Sequence, residues 1–122
     1  MLNGVAYCRM LYEDGVPQDF IYLYTNPAFH EQTGLGPVCG KRISEVIPGI
    51  RTADPQLFEI YGRVARGGKP EKFETFLDSL QAWFAIQVYS PEPDHFVAVF
   101  DVITRRKQLD KELHLQALVL DQ

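Results

Sequence analysis

Tyr24-Thr25-Asn26-Pro27-Ala28-Phe29, reached directly out of the apolar run Phe20-Ile21-Tyr22-Leu23, is the stretch on which the fold turns. A run of strand formers stops at Asn26, and a proline follows at once. Proline is tolerated at the first helical position, where its missing N–H would be unpaired in any case. Asn26 suits the position before it, because its side-chain oxygen can accept from the orphan N–H groups of the first turn. The stretch reads as a strand turning sharply into a short helix over 27–32, ended at Gly34.

Upstream, 5–12 is rich in strand formers, with Ala6, Cys8 and Met10 on one face. Glu13-Asp14-Gly15-Val16-Pro17 reads as a turn, so 5–12 and 20–25 should form a hairpin. Downstream, Gly34, Gly36 and Pro37 break the chain, and 41–47 can make a helical turn closed by Pro48-Gly49. Asp54-Pro55 restarts a helix with Asp54 as an acidic N-cap. Leu57, Phe58, Tyr61, Val64 and Ala65 give it one apolar face, and Gly67-Gly68 stops it. Strands are predicted over 72–77, 83–89 and 96–103, separated by Asp78-Ser79 and by Ser90-Pro91-Glu92-Pro93-Asp94. From Thr104 the composition turns to Arg, Lys, Gln, Leu and Glu, which are strong helix formers. The order predicts an α+β domain: a five-stranded antiparallel sheet, helices on one face and a C-terminal helix. The last three strands form a meander that the first hairpin joins edge to edge.

The length of 122 residues fits one domain with a single core. A formal net charge of −4, with no basic stripe to neutralise phosphates, argues against nucleic acid as a partner. Cys8 and Cys39 have no metal-binding spacing and are expected as free thiols of a reducing, cytoplasmic compartment. No run approaches the roughly 20 apolar residues that span a bilayer, so direct membrane insertion is not expected. The three histidines are scattered: His30 on the short helix, expected solvated; His95 in a turn; His114 in the last helix. They make no metal site. No spacing joins a cysteine to a histidine as nucleophile and base, so no catalytic residue is assigned. Glu71, Glu74 and Asp78 are expected to solvate a strand edge.

In this order and spacing the chain resembles a PAS domain over nearly all its length. Tyr24-Thr25-Asn26-Pro27-Ala28-Phe29 with Thr33-Gly34 is similar to the family's second strand and first helix. Gly40-Lys41-Arg42-Ile43 with Val46-Ile47-Pro48 resembles the segment that follows. Trp83-Phe84 through Ser90-Pro91 resembles the fourth strand, and Phe96-Val97-Ala98-Val99-Phe100 into Ile103-Thr104-Arg105-Arg106-Lys107 the last strand and its exit. The resemblance implies a PAS domain over 1–104 and a signalling helix over 105–122. It implies a sensory, dimer-forming module joined to an output domain of histidine kinase or diguanylate cyclase type. No output motif is in this chain, and the helical end Val119-Leu120-Asp121-Gln122 suggests a piece of a longer protein. The family's exit signature reads Asp-Ile-Thr or Asp-Val-Thr. Here Thr104 fits, but the carboxylate sits one residue early, at Asp101. A one-residue shift in a strand moves a side chain to the other face. Asp101 and Thr104 are the candidate exit residues.

In flavin photosensors of this fold the adduct cysteine lies three residues after a glycine that aligns with Gly40. That position here is Ile43, while Cys39 precedes the glycine and is expected as a partly buried, inert thiol. Gln87 is the only amide in the last three strands. Haem-binding members commonly use a histidine on the longer helix, and 54–66 has none. No tightly bound cofactor is therefore expected, and the sequence does not name a small-molecule ligand. Among the aromatics Phe29, Phe58, Tyr61, Phe73, Phe76, Trp83, Phe84, Phe96 and Phe100 some could line a cavity. The candidate lining is Phe29, Ile43, Phe58, Tyr61, Phe73, Phe84 and Ile86, against the alternative of a filled core in a ligand-free dimerisation domain.

Both sheet faces are apolar along the fourth and fifth strands, where one wet face should alternate cleanly with one dry face. A partner chain or flanking helix should cover the second face. Val97 and Val99 are the candidate dimer residues on it, with Leu109 and Leu113 from the last helix. Val102, Arg106, Leu109, Leu113, Gln116 and Leu120 follow a heptad spacing.

Overall fold

The computed structural model describes residues 3–120, with side chains to Leu118. Ten elements follow one another: β1 (Gly4–Glu13), β2 (Val16–Thr25), α1 (Pro27–Thr33), α2 (Ile43–Val46), α3 (Ile50–Ala53), α4 (Pro55–Ala65), β3 (Glu71–Leu77), β4 (Ala82–Tyr89), β5 (His95–Val102) and α5 (Thr104–Leu120). The strands make one antiparallel sheet in the order β2-β1-β5-β4-β3. The meander and the edge-to-edge joining of the hairpin stand as expected: β1 pairs with β5 from Gly4↔Phe100 to Arg9↔His95.

The first turn is tighter than expected. Asp14 and Gly15 alone form it, both at positive φ (52° and 77°), as a two-residue hairpin with right-handed strand twist requires. Val16 and Pro17 therefore belong to β2. Pro17 is tolerated because β2 is an edge strand, and it pairs with Tyr12 where the register shifts.

Period-two alternation sends Ala6, Cys8, Met10, Phe20, Tyr22, Phe84, Ile86, Val88, Phe96, Ala98 and Phe100 to one face, all buried. The apolar stripe of α4 lies against them: Leu57, Phe58, Tyr61, Val64 and Ala65 are buried as the spacing predicts. Gly62 on the same helix lies against Pro17 so closely that a Cβ would overlap the ring.

Asp54 corrects a sequence expectation. It occupies the N-cap position of α4, yet its side chain makes no cap hydrogen bond. The carboxylate is 1% exposed and reaches across the core. It accepts from Asp78 N (2.8 Å), Ser79 N (3.0 Å) and Ser79 Oγ (2.6 Å). A buried carboxylate is tolerable when donors surround it, and this one fastens the β3–β4 turn to the start of α4. The acidic strand residues are also more engaged than expected. Glu71 pairs with Arg63 (2.7 Å), and Glu74 pairs with Arg106 and with Lys107 (2.7 Å).

Candidate functional site

The sequence-expected cap is in place. Asn26 has extended backbone (φ −94°, ψ 169°), Pro27 opens α1, and Gly34 closes it at φ 76°. Asn26 does more than cap. Its Oδ1 accepts from Phe29 N (3.0 Å) and from Val5 N (2.9 Å), and its Nδ2 donates to Asn3 O (2.9 Å). One side chain thus ties α1 to the start of β1 and sets how α1 sits over the sheet.

Between that sheet face and the helices lies a cavity of about 60 Å³. A water needs about 10–15 Å³, so this space takes a few non-hydrogen atoms. Phe29, Ile43, Tyr61, Phe84 and Ile86 line it as expected, as do Phe96 and Phe100. Phe58 and Phe73 do not. Phe58 is buried but turns to the Phe20 ring (5.7 Å) and to a groove beside Pro17 and Pro55. Phe73 is half-buried at the margin of the core. Phe76 and Trp83 pair with each other away from the cavity, ring centroids 5.8 Å apart. Unforeseen members of the wall are Ala6, Cys8, Phe20, Tyr22 and Ala98. Their inward parity, shared with Met10 and Ile86, was the signal.

No charged side chain lines this cavity among the described residues. Its polar groups are the Cys8 thiol, the Tyr22 and Tyr61 hydroxyls, and Thr33. Burial pushes the Cys8 thiol well above its ordinary range, and burial raises Tyr22 and Tyr61 likewise. At neutral pH all three hold their protons. Thr33 is satisfied locally: its Oγ1 donates to Phe29 O (2.7 Å) and accepts from Leu35 N (3.1 Å).

The wall does not fit a flavin. Ile43, at the adduct position, is buried in the wall and has no nucleophile. Gln87 alternates out of the wall, between Ile86 and Val88, and is exposed. Nor does the wall hold a histidine to ligate haem iron. Among the described residues no group of three His, Cys, Asp or Glu could hold a metal ion.

Two polar readings change. His30 is half-buried rather than solvated, with Nδ1 3.0 Å from Leu35 O and Nε2 3.0 Å from Thr25 Oγ1. A carbonyl only accepts, so Nδ1 carries the proton, and in the neutral ring Nε2 accepts from Thr25. Cys39 is exposed rather than partly buried, and lies 3.8 Å from Thr25 Oγ1; both cysteines are free.

The exit runs from β5 into α5. Thr104 Oγ1 accepts from Trp83 N (3.0 Å), and Ile103 N donates to Trp83 O (2.8 Å). Lys107 Nζ stands 4.9 Å over the Trp83 ring. The Asp101 side chain has no hydrogen-bond or ion-pair partner among the described residues, though its backbone lies in the β4–β5 ladder opposite Ala85; Glu74 of β3 supplies the carboxylate that holds the first turn of α5. Gln32 of α1 accepts from Val102 N at 2.9 Å. On the outer face Val97 is only 9% exposed within its own chain and Val99 is half-buried. Tyr24, Tyr7, Val97 and Tyr89 form one row across four strands. Tyr24 and Tyr89 stand open, as do Leu109 and Leu113 on α5. The Leu120 side chain and residues 121–122 lie outside the described residues. No described helix is long and apolar enough to cross a membrane.

No family model and no curated protein matches the chain. Solved structures do. A domain of an HTR-like protein from Haloarcula marismortui is 21% identical, covering 84% of this chain and 98% of that one, with a TM-score of 0.57. An RNA-binding light-oxygen-voltage receptor is 19% identical with a TM-score of 0.59, covering 98% of this chain and 34% of that one. The sensor region of a sensor histidine kinase is 17% identical with a TM-score of 0.52, covering 84% of this chain and 40% of that one. The chain thus spans well under half of the last two. The chain shares its fold with these structures, the PAS fold, here with strand order 2-1-5-4-3, four helices between the second and third strands and a helix leaving the last strand.

Proposed function

We propose that this chain is a sensory signalling module that admits a small molecule to its core and passes the change along α5. The carrying observation is that β5 is both cavity wall and exit. Phe96, Ala98 and Phe100 line the cavity, and α5 starts two residues beyond the strand. Gln32 fixes Val102 N from α1, the helix whose Phe29 lines the same cavity. A ligand that displaced α1 would favour one of two packings of β5 and α5, and so shift their populations.

The module works as a homodimer through the outer sheet face and α5, in the cytoplasm. It is linked covalently to an output domain of histidine kinase or diguanylate cyclase type, and carries out no catalysis itself. Neither nucleic acid nor membrane insertion belongs to this role. The second reading is a ligand-free dimerisation domain, favoured by the cavity's small size against the ~300–1,000 Å³ of ordinary ligand sites. A thermal-shift screen against neutral metabolites separates them. A ligand at ~100 times its Kd stabilises by about 2.7 kcal/mol; no shift from any compound supports the scaffold. Sedimentation tests the dimer, and a monomer at high concentration overturns that part.

A further inference from the structure

Nearly all of the cavity wall is closed off from solvent. Every described residue lining it is buried except Thr33, Leu35, Ile47 and Leu80, which are half-buried. The cavity is not fully enclosed, so its opening lies among these four. They come from three directions. Thr33 ends α1 and Leu35 soon follows it, Ile47 follows α2, and Leu80 stands in the β3–β4 turn. Lining one space of about 60 Å³ keeps them near one another. Three of the four are apolar. The fourth, Thr33, spends its hydroxyl on Phe29 O and Leu35 N. One flank of the rim is held firmly: Leu80 N donates to Leu77 O (3.1 Å), in the turn that Asp54 fastens to α4.

Resting on the sensory reading above, we infer that the ligand enters tail first between Leu35, Ile47 and Leu80, and that the part it buries is the end of an unbranched alkyl chain. Size sets the buried part. An apolar cavity of about 150 Å³ takes benzene, with its six carbons. By that measure about 60 Å³ takes two or three. A molecule of only that size would leave the apolar rim wet, whereas a chain that runs on through the rim covers both wall and rim. A branched end packs about four carbons into one place and exceeds the space. The polar head stays outside. No charged side chain lines the wall, and an unpaired buried charge is very costly.

The probes are the straight alcohols from ethanol to 1-hexanol, with 2-methyl-2-propanol as the branched isomer of 1-butanol. Binding is read by NMR titration, following the methyl groups of Ile43 and Ile86 in the wall. Affinity should rise about fourfold for each CH2 through 1-butanol and then level off. The branched isomer should bind at least about tenfold more weakly than 1-butanol. Two variants locate the site: Leu80→Trp narrows the rim, and Ala98→Val narrows the wall. Each should weaken 1-butanol about tenfold, and either serves if the other fails to fold. Equal binding of the two isomers, a rise unbroken to 1-hexanol, or unchanged affinity in the variants overturns the inference and leaves the sensory reading standing. If no alcohol moves the wall methyls of the native chain, the inference is overturned. The sensory reading then falls only if the thermal-shift screen is empty as well.

Discussion

Replacing Asn26 by alanine should cost more than an ordinary N-cap. The cap itself, Oδ1 to Phe29 N, accounts for about 1 kcal/mol. The same oxygen also takes Val5 N in a partly buried setting. Orphaning that N–H adds about 1–2 kcal/mol. The Nδ2 bond to Asn3 O is exposed, and water replaces it at little cost. The sum is about 2–3 kcal/mol. Asn26→Asp keeps acceptors for both N–H groups and places negative charge at the start of α1. It should cost under about 1 kcal/mol. Urea unfolding with a constant m-value measures both variants. An alanine cost below 1 kcal/mol, or equal costs for Ala and Asp, would refute the double role of Asn26.

Asp54→Ala strands three donors of the Asp78-Ser79 turn and should cost about 3 kcal/mol or more by the same urea assay, whereas an ordinary exposed cap would cost about 1. Gly62→Ala, normally favourable in a helix, should instead destabilise by about 1–3 kcal/mol, because the new methyl overlaps Pro17; an unchanged midpoint would show that β2 yields freely. Lys107, then Arg106, holds the Glu74 carboxyl below its usual range. A lowered folded value means that this contribution is complete above the unfolded carboxylate pKa and is lost as pH falls through the folded one. Fluorescence of the single tryptophan, Trp83, should change over that acid range in the native chain and stay flat in Glu74→Gln.

What the sequence made legible is what local chemistry decides. Asn26-Pro27, the stripe on α4 and the inward parity of β1 and β4 each depend on neighbours within a turn or two, and each stands as read. The start of β2 was hidden because Pro17 reads as a breaker until its edge position is known. The short α3 was hidden because four residues carry no periodicity. Asp54 looked like a cap because its true donors lie 24 and 25 residues away. The candidate wall was readable where alternation fixes a face, as at Phe84 and Ile86. It failed at Phe58 and Phe73, where helix rotation and sheet margin decide. Val97 looked open from its parity, but its own neighbours cover it.

The direct test of the relay follows backbone amide shifts and hydrogen exchange while a metabolite found by the thermal-shift screen fills the cavity. The expected result is a change at Val102 and at the first-turn amides of α5, Thr104 to Lys107, alongside the cavity wall. Changes confined to the wall, with α5 untouched at saturation, would contradict the relay.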